Sequence, residues 1–205
     1  MKKTYPFAMA LSKLYDNAAQ WERYADNARG CCIVFNLSTL RKVFYYQKLL
    51  FNEMFYDYDI QNHSHYKSLD YYFKVGKFDG NKVLHGFDNE KDIVNNIYLY
   101  AYLCKHRSFC TEKEYRISTI SYKELGLNHS SVDYIIRGSS LRRILKVDMY
   151  KMCNEAGFAF EDLFDKIILG PRKTQSKYEL QAFIRDLGTY KKLASKVIES
   201  ECTLR

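Results

Sequence analysis

Two carboxylates and a guanidinium stand at alternate positions in the segment Glu112-Lys113-Glu114-Tyr115-Arg116. In an extended strand, successive side chains project from opposite faces of the sheet. Glu112, Glu114 and Arg116 are therefore expected to form one charged row. Such a row can line a cleft. Such a row is more often the solvated face of a sheet, where ion pairs contribute only about 0–1 kcal/mol.

Two basic segments could bind an anion such as phosphate. Residues 137–143 carry three arginines around a Gly-Ser-Ser turn. Residues 170–174 precede the start of an expected helix, where free backbone N–H groups attract anions. Both segments also fit ordinary solvated turns. Neither has Walker-type spacing, which argues against a nucleotide triphosphatase.

Other catalytic and metal-binding patterns are missing from the sequence. It has no Gly-x-Ser-x-Gly segment and no His–Cys arrangement typical of a thiol enzyme. Cys104, His106 and Cys110 have a spacing that matches none of the standard zinc patterns, so we expect no metal site.

Composition indicates an ordered globular protein with a preference for anionic partners, and the predicted elements are an α+β mixture. The 205 residues are 47% hydrophobic and include 19 Tyr and 13 Phe. A net charge of +8 favours phosphates or nucleic acid as partners. No targeting segment or membrane span is recognisable, and the six cysteines show no disulfide framework. We therefore expect a cytoplasmic protein with reduced thiols and no membrane partner.

The elements expected to position the charged row form one domain over residues 1–205, with a mixed or antiparallel sheet flanked by helices. Apolar periodicity predicts helices at 16–28, 37–43, 66–73, 88–106 and 176–187, the last with a Ser176–Glu179 capping box, and a helical turn at 160–164. Strands are predicted at 31–35, 112–120, 141–149, 166–169 and 196–199. Residues 43–58 are ambiguous between helix and strand, 75–85 read as a loop, and 121–138 are undetermined.

Several blocks of the sequence resemble the prokaryotic family called domain of unknown function 2971. The blocks are Phe7-Ala8-Met9-Ala10-Leu11-Ser12, Asp16, Gln20-Trp21, Tyr24-Ala25-Asp26, Gly30 before Ile33-Val34-Phe35, Lys105 with Phe109, Glu112-x-Glu114-Tyr115-Arg116, and 166–172. They occur in the family's order. Ala10 stands where the family has a first serine, and the upstream strand and helix typical of the family are absent from the sequence.

The order of a Ser-bearing strand and a Glu-x-Glu strand is also similar to the site of the ADP-ribosyltransferase fold, which grips NAD in a cleft. This resemblance implies that Glu114 is the catalytic carboxylate and that Glu112 orients the acceptor. Ser12 would fix a ribose, and Arg116 would contact a phosphate or brace Glu114.

Trp21 or Tyr24 would supply the surface on which NAD stacks. On periodicity alone, both aromatic residues also fit a helix face in the core. Ser12 could likewise cap the helix that follows it.

The resemblances imply NAD-dependent ADP-ribosyl transfer or NAD glycohydrolysis, in a bacterial stress or phage-defence setting. The other hypothesis is a non-catalytic module that binds nucleic acid or a protein partner through its basic surface. The positive charge favours it, although the sequence contains no recognised nucleic-acid motif.

Overall fold

The computed structural model describes residues 7–47, 49–56, 103–119 and 130–204. The chain divides into two compact units. The first consists of Met1–Ser12 and Leu50–Glu124, and the second of Lys13–Leu49 and Leu125–Arg205. Helices and small antiparallel or mixed sheets confirm the α+β class. Among the described helices, none combines the length and the apolar character that crossing a bilayer requires.

The described elements follow one another along the chain in this order. They are β1 (Phe7–Ser12), α1 (Ala18–Tyr24), β2 (Cys31–Phe35), α2 (Leu37–Tyr46), β3 (Leu50–Glu53), β4 (Phe55–Tyr56), β5 (Cys104–Lys105), a 3₁₀ helix (Arg107–Glu112), β6 (Glu114–Thr119), β7 (Ser130–Arg137), β8 (Ser140–Val147), α3 (Met149–Glu155), a second 3₁₀ helix (Phe160–Leu163), β9 (Phe164–Leu169), α4 (Lys177–Asp186), α5 (Lys191–Ala194) and β10 (Val197–Glu199).

The first unit contains a three-stranded antiparallel sheet with β6 in the centre, between β1 and β3. Tyr, Ile and Thr in β6 favour the extended conformation. Phe51 and Tyr115 stack on one face of this sheet, with ring centroids 4.9 Å apart. Strands β4 and β5 form a short parallel pair. Met54, Tyr56 and Leu103 make a small core beside this pair.

The second unit contains a sheet in the order β10-β9-β2, with β10 parallel and β2 antiparallel to β9. Strand β9 is buried on both faces. Ile168 packs with Trp21 and Ala28, whereas Leu169 packs with a cluster that includes Ile184 of α4. Adjacent side chains of a strand face opposite ways, so burial on both sides requires a continuous apolar run. The run 166–169 was predicted as a core strand, and this is confirmed.

The end of α1 differs from the prediction. The helix stops at Tyr24, and the next turn contains three successive left-handed residues, Asp26, Asn27 and Ala28, with φ of 49°, 53° and 69°. Each non-glycine residue in this conformation costs roughly 1–2 kcal/mol. The Ala28 amide donates to the Trp21 carbonyl at 3.0 Å and closes the turn. Gly30, predicted as the terminator, comes after it.

Gly170 packs against this left-handed turn. A Cβ at this position would lie 2.2 Å from the Ala28 carbonyl oxygen, so no side chain fits. The Gly170 amide donates to the Gly30 carbonyl at 2.9 Å, and the Arg172 amide donates to Ala28 at 3.0 Å. These bonds join the end of β9 to the turn before β2.

The other predictions of secondary structure are confirmed only in part. The capping box at the start of α4 is confirmed. The strand predicted at 112–120 begins only at Glu114, and the helix predicted at 88–106 cannot reach its predicted end because Cys104–Lys105 is β5. Most of that helix and the helix predicted at 66–73 lie outside the described residues, as does the loop predicted at 75–85. Helix α3, capped by Asp148, was not predicted.

Candidate functional site

Strand β6 places Glu114 directly opposite Ser12 of β1. The two residues are partners in the antiparallel register of the first unit's sheet. Directly opposed residues project from the same face of a sheet. The hydroxyl and the carboxylate, about a hundred residues apart in sequence, therefore share one face at the end of the β1–β6 pairing.

Lys105 of β5 joins the two glutamates. Its Nζ lies 2.5 Å from Glu112 Oε2 and 2.8 Å from Glu114 Oε2. The same ammonium lies 4.8 Å from the centroid of the Phe109 ring, a favourable cation–π arrangement. The side chains of Glu112 and Glu114 are only 8% and 5% exposed. The solvated-face interpretation is therefore wrong for both carboxylates.

Arg116 supports Glu114 from the same strand. Its Nε donates a hydrogen bond to Glu114 Oε1 at 2.7 Å. Each carboxylate oxygen of Glu114 thus receives a charge-assisted hydrogen bond, one from Arg116 and one from Lys105. Of the two roles predicted for Arg116, bracing Glu114 matches this contact, and contact with a phosphate stays a prediction.

The backbone of Glu114 is held on both of its hydrogen-bonding sides. Its amide donates to the Tyr56 hydroxyl oxygen at 3.2 Å. Its carbonyl accepts from the Met54 amide at 3.0 Å. The position of the carboxylate is therefore set by β6 and by the β4 segment together.

The electrostatics of the cluster keep Glu114 ionised. Burial raises the pKa of the Glu114 carboxyl, but the hydrogen bonds from Lys105 and Arg116 outweigh burial and hold the pKa below its ordinary range. Burial lowers the pKa of the Lys105 ammonium, and the hydrogen bonds to Glu112 and Glu114 reverse this and raise it. Both groups are charged at neutral pH.

The backbone conformation that places Glu112 in the cluster differs from the predicted strand. It is the last residue of the 3₁₀ helix and does not belong to β6. Lys113 then adopts a left-handed conformation with φ of 45°, and the strand begins after it. The Ser12 hydroxyl donates to the Glu112 carbonyl oxygen at 2.7 Å. The 3₁₀ helix and the tight turn, not strand alternation, bring Glu112 beside Glu114.

Ser118 extends the row that begins with Glu114 and Arg116, at the same two-residue spacing. Its hydroxyl oxygen is buried and has no hydrogen-bond partner within the described ranges. The sequence analysis missed Ser118, although the spacing could have identified it. It also missed Tyr56, for which no sequence pattern points to Glu114.

Trp21 and Tyr24 belong to the second unit. The Trp21 ring is 2% exposed and packs in the core with Ala28 and Ile168. Its Nε1 donates to Asp16 Oδ1 at 2.9 Å. Tyr24 is 67% exposed. The structure thus brings Ser12, Glu112, Glu114 and Arg116 together in the first unit, and the stacking roles of Trp21 and Tyr24 stay predictions.

The two basic segments differ in their surroundings. At the start of α4, the Glu179 carboxylate accepts from the Ser176 amide at 2.7 Å, and the Ser176 hydroxyl accepts from the Glu179 amide. An acidic group already occupies the helix start, so the anion site predicted there is disfavoured. Nearby, Lys173 pairs with Glu199 at 3.3 Å. The other basic segment forms the turn of the β7–β8 hairpin.

Comparison with known proteins gives one match. A family model described as "Protein of unknown function (DUF2971)" matches residues 20–117. This range includes the Trp21 block and the Glu112–Arg116 block, but not the blocks at 7–12 and 166–172. No curated protein and no solved structure matches the chain significantly. Within the described ranges, no group of three His, Cys, Asp or Glu side chains is arranged to hold a metal ion.

Proposed function

We propose that this chain, whose residues 20–117 match the DUF2971 family model, cleaves the bond between nicotinamide and ribose in NAD. The bond from C1′ to the nicotinamide nitrogen breaks, and nicotinamide leaves with the electron pair. The oxygen of water or of an acceptor then bonds to C1′ and releases a proton. Water gives NAD glycohydrolysis, and an acceptor gives ADP-ribosyl transfer.

The observation that carries this proposal is the pairing of Ser12 with a buried, ionised Glu114 on one face of the sheet. Cleavage at C1′ passes through an oxocarbenium-like state with positive charge on the sugar. A fixed carboxylate stabilises that charge without reorganising during the reaction. Since Lys105 and Arg116 hold Glu114 in position, the carboxylate is preorganised for this role.

Glu114 retains the capacity to bind a ribose hydroxyl. A carboxylate offers about four lone-pair sites, and the contacts with Lys105 and Arg116 use one on each oxygen. Glu112 also forms an ion pair with the Lys105 ammonium. The two cations and two anions of the cluster therefore balance, and Glu114 is not left with an excess of positive charge around it.

The exposed part of this face lies along β1. Ser12 is exposed, and its hydroxyl oxygen can accept from a sugar hydroxyl while its hydrogen stays on the Glu112 carbonyl. Ala10, the partner of Arg116 in the register, is also exposed and has a small side chain. We assign Ser12 to holding a ribose, with the ligand lying beside Arg116.

The proposal is tested by following nicotinamide release from NAD by chromatography. Glu114→Gln removes the charge but keeps the size of the side chain, and is expected to lower the rate by about 10²–10⁴-fold. Glu201→Gln, at an exposed glutamate of the second unit, is the matched control and is expected to keep the wild-type rate. Equal rates for Glu114→Gln and wild type, or no release by the wild-type chain, would refute the proposal.

A second variant separates catalysis from folding. Glu114→Gln weakens the ion cluster, so its folded fraction must be checked by circular dichroism. Ser12→Ala changes an exposed residue and is expected to remain folded. Loss of one hydrogen bond, worth about 1 kcal/mol, should raise KM about fivefold with little change in kcat. An unchanged KM would remove Ser12 from the site.

A further inference from the structure

The β7–β8 hairpin ends in a long stretch of exposed residues. Eight register pairs join its strands, from Ser130↔Val147 to Arg137↔Ser140. A two-residue turn closes it, with Gly138 at φ of 60°, as the first position of such a turn requires. All residues from Tyr134 to Arg143 are exposed. The distal half of the ribbon is therefore covered on neither face.

One face of the distal half is apolar. Ile136 and Leu141 are cross-strand partners and are 79% and 68% exposed. Tyr134, two residues before Ile136 on the same face, is 57% exposed. Its cross-strand partner is Arg143. Adjacent exposed apolar side chains of this kind are typical of an interaction surface.

The opposite face is mainly basic, although Ile135 also lies on it and is 42% exposed. Arg137 pairs with Ser140, and Arg142 pairs with Ile135. The two arginines are therefore diagonal neighbours on this face. Within the part of the chain that the structure describes, no carboxylate pairs with either arginine. Further down the same face, Asp133 is paired with Lys146. No acidic residue occurs between 134 and 147, so the distal hairpin itself contributes only positive charge.

We propose that the β7–β8 hairpin is an arm that enters a groove of double-stranded nucleic acid. The arginines complement the phosphate backbone, which dominates the affinity of such complexes. The major groove of B-DNA is about 12 Å wide and admits a two-stranded ribbon. Apolar side chains such as Ile and Leu can contact sugars or wedge between base steps when they enter a groove.

One face of the hairpin is mainly apolar and the other mainly basic, and this arrangement favours nucleic acid over other partners. A groove has two walls, so both faces of a thin ribbon are in contact at once. A lipid surface or a folded protein meets chiefly one face and leaves the other in water. The chain's net charge of +8 adds a long-range attraction for a polyanion. This inference stands independently of the NAD proposal.

The first experiment measures fluorescence anisotropy of a labelled duplex titrated with the full chain at several salt concentrations. If three arginines each neutralise one phosphate, the logarithmic salt slope is about −2.7, and affinity falls about 40-fold from about 50 to about 200 mM salt. The double variant Arg137→Gln, Arg142→Gln should retain a slope of about −0.9, a fall of about threefold to fourfold.

The matched control is Lys191→Gln, Lys192→Gln. It removes two charges from exposed positions of α5 in the same unit and should leave the slope close to that of wild type. If this control lowers the slope as much as the arginine variant does, binding comes from net charge and the hairpin has no special role. That result would overturn the inference.

A second pair of variants tests the apolar face. Ile136→Ser with Leu141→Ser should weaken binding at least several-fold without changing the salt slope, because no charge is removed. Tyr45→Ser, at a position that is 86% exposed on α2, serves as the control and should bind like wild type. Failure of the wild-type chain to bind duplex at low salt overturns the proposal. So does hairpin-dependent binding to anionic vesicles or to an acidic protein with no binding to duplex.

Discussion

Replacing Lys105 by methionine isolates the contribution of the ion cluster to stability. Methionine keeps much of the volume of the side chain but removes the ammonium that lies 2.5 Å from Glu112 and 2.8 Å from Glu114. Glu114 would then keep its contact with Arg116, whereas Glu112 would lose the ammonium group beside it. We expect the Lys105→Met variant to be clearly destabilised at neutral pH.

The magnitude follows from the burial of the partners. Removing one member of a buried ion pair costs about 3–5 kcal/mol, because the other charge remains desolvated. Lys105 is 21% exposed, so water partly screens the site, and Arg116 still balances Glu114. We therefore expect a loss of about 2–3 kcal/mol in the free energy of unfolding.

The assay is equilibrium urea unfolding followed by two probes. Far-UV circular dichroism reports both units, whereas the fluorescence of Trp21, the single tryptophan, reports the second unit. With a urea dependence of about 2–3 kcal/mol per molar, the dichroism midpoint should fall by about 1 M. Lys191→Met, which removes an exposed lysine, should shift the midpoint little.

The pH dependence of the Lys105→Met penalty tests whether the ion cluster stabilises the fold. A carboxyl with a lowered folded-state pKa contributes stability above its unfolded pKa, about 4.3 for glutamate, and loses it as the pH falls further. The Lys105 pKa is raised, so its contribution is complete below about pH 10.4 and is lost above it. The penalty of Lys105→Met should therefore shrink toward pH 3. A penalty equal to that of Lys191→Met at neutral pH would show that the cluster is not a stabilising unit.

Two further predictions concern the second unit. Gly170→Ala should lower the free energy of unfolding by about 1–3 kcal/mol or more, because the new Cβ would overlap the Ala28 carbonyl. The control is Gly157→Ala, at φ of 77° with open space around it, which should cost only about 1 kcal/mol. Both values are measured by urea unfolding. Burial raises the pKa of the Asp16 carboxyl, but hydrogen bonds from Ser200, Trp21 and the backbone outweigh burial and hold the pKa below its ordinary range. Asp16→Asn should therefore lower the free energy of unfolding by about 1–3 kcal/mol at pH 7, measured by Trp fluorescence. The Asp16→Asn penalty should vanish as pH falls below about 3.9, and a constant penalty would contradict the ionic role.

The parts of the structure that could be predicted from sequence are those fixed by local interactions. The capping box of α4 needs only Ser176 and Glu179, three residues apart. The apolar run of β9 identifies a strand buried on both faces. Likewise, the alternation of Glu114 and Arg116 predicted correctly that they share a face, because strand geometry alone decides it.

The parts that could not be predicted depend on contacts between distant segments or on unusual backbone conformations. The helical periodicity of 88–106 placed Lys105 on a helix, but pairing with β4 makes it part of β5. Strand alternation could not reveal the left-handed Lys113, which separates Glu112 from β6. The burial of the two carboxylates also requires the tertiary structure. For this reason the sequence favoured the solvated-face interpretation over the cleft interpretation.

The most direct test of the central claim is a structure of the chain with a non-cleavable NAD analogue. The account predicts a hydroxyl of the nicotinamide ribose within hydrogen-bonding distance of Glu114, about 3 Å, with Ser12 contacting a sugar on the same face of the sheet. An analogue bound elsewhere, with Glu114 still enclosed between Lys105 and Arg116, would contradict it.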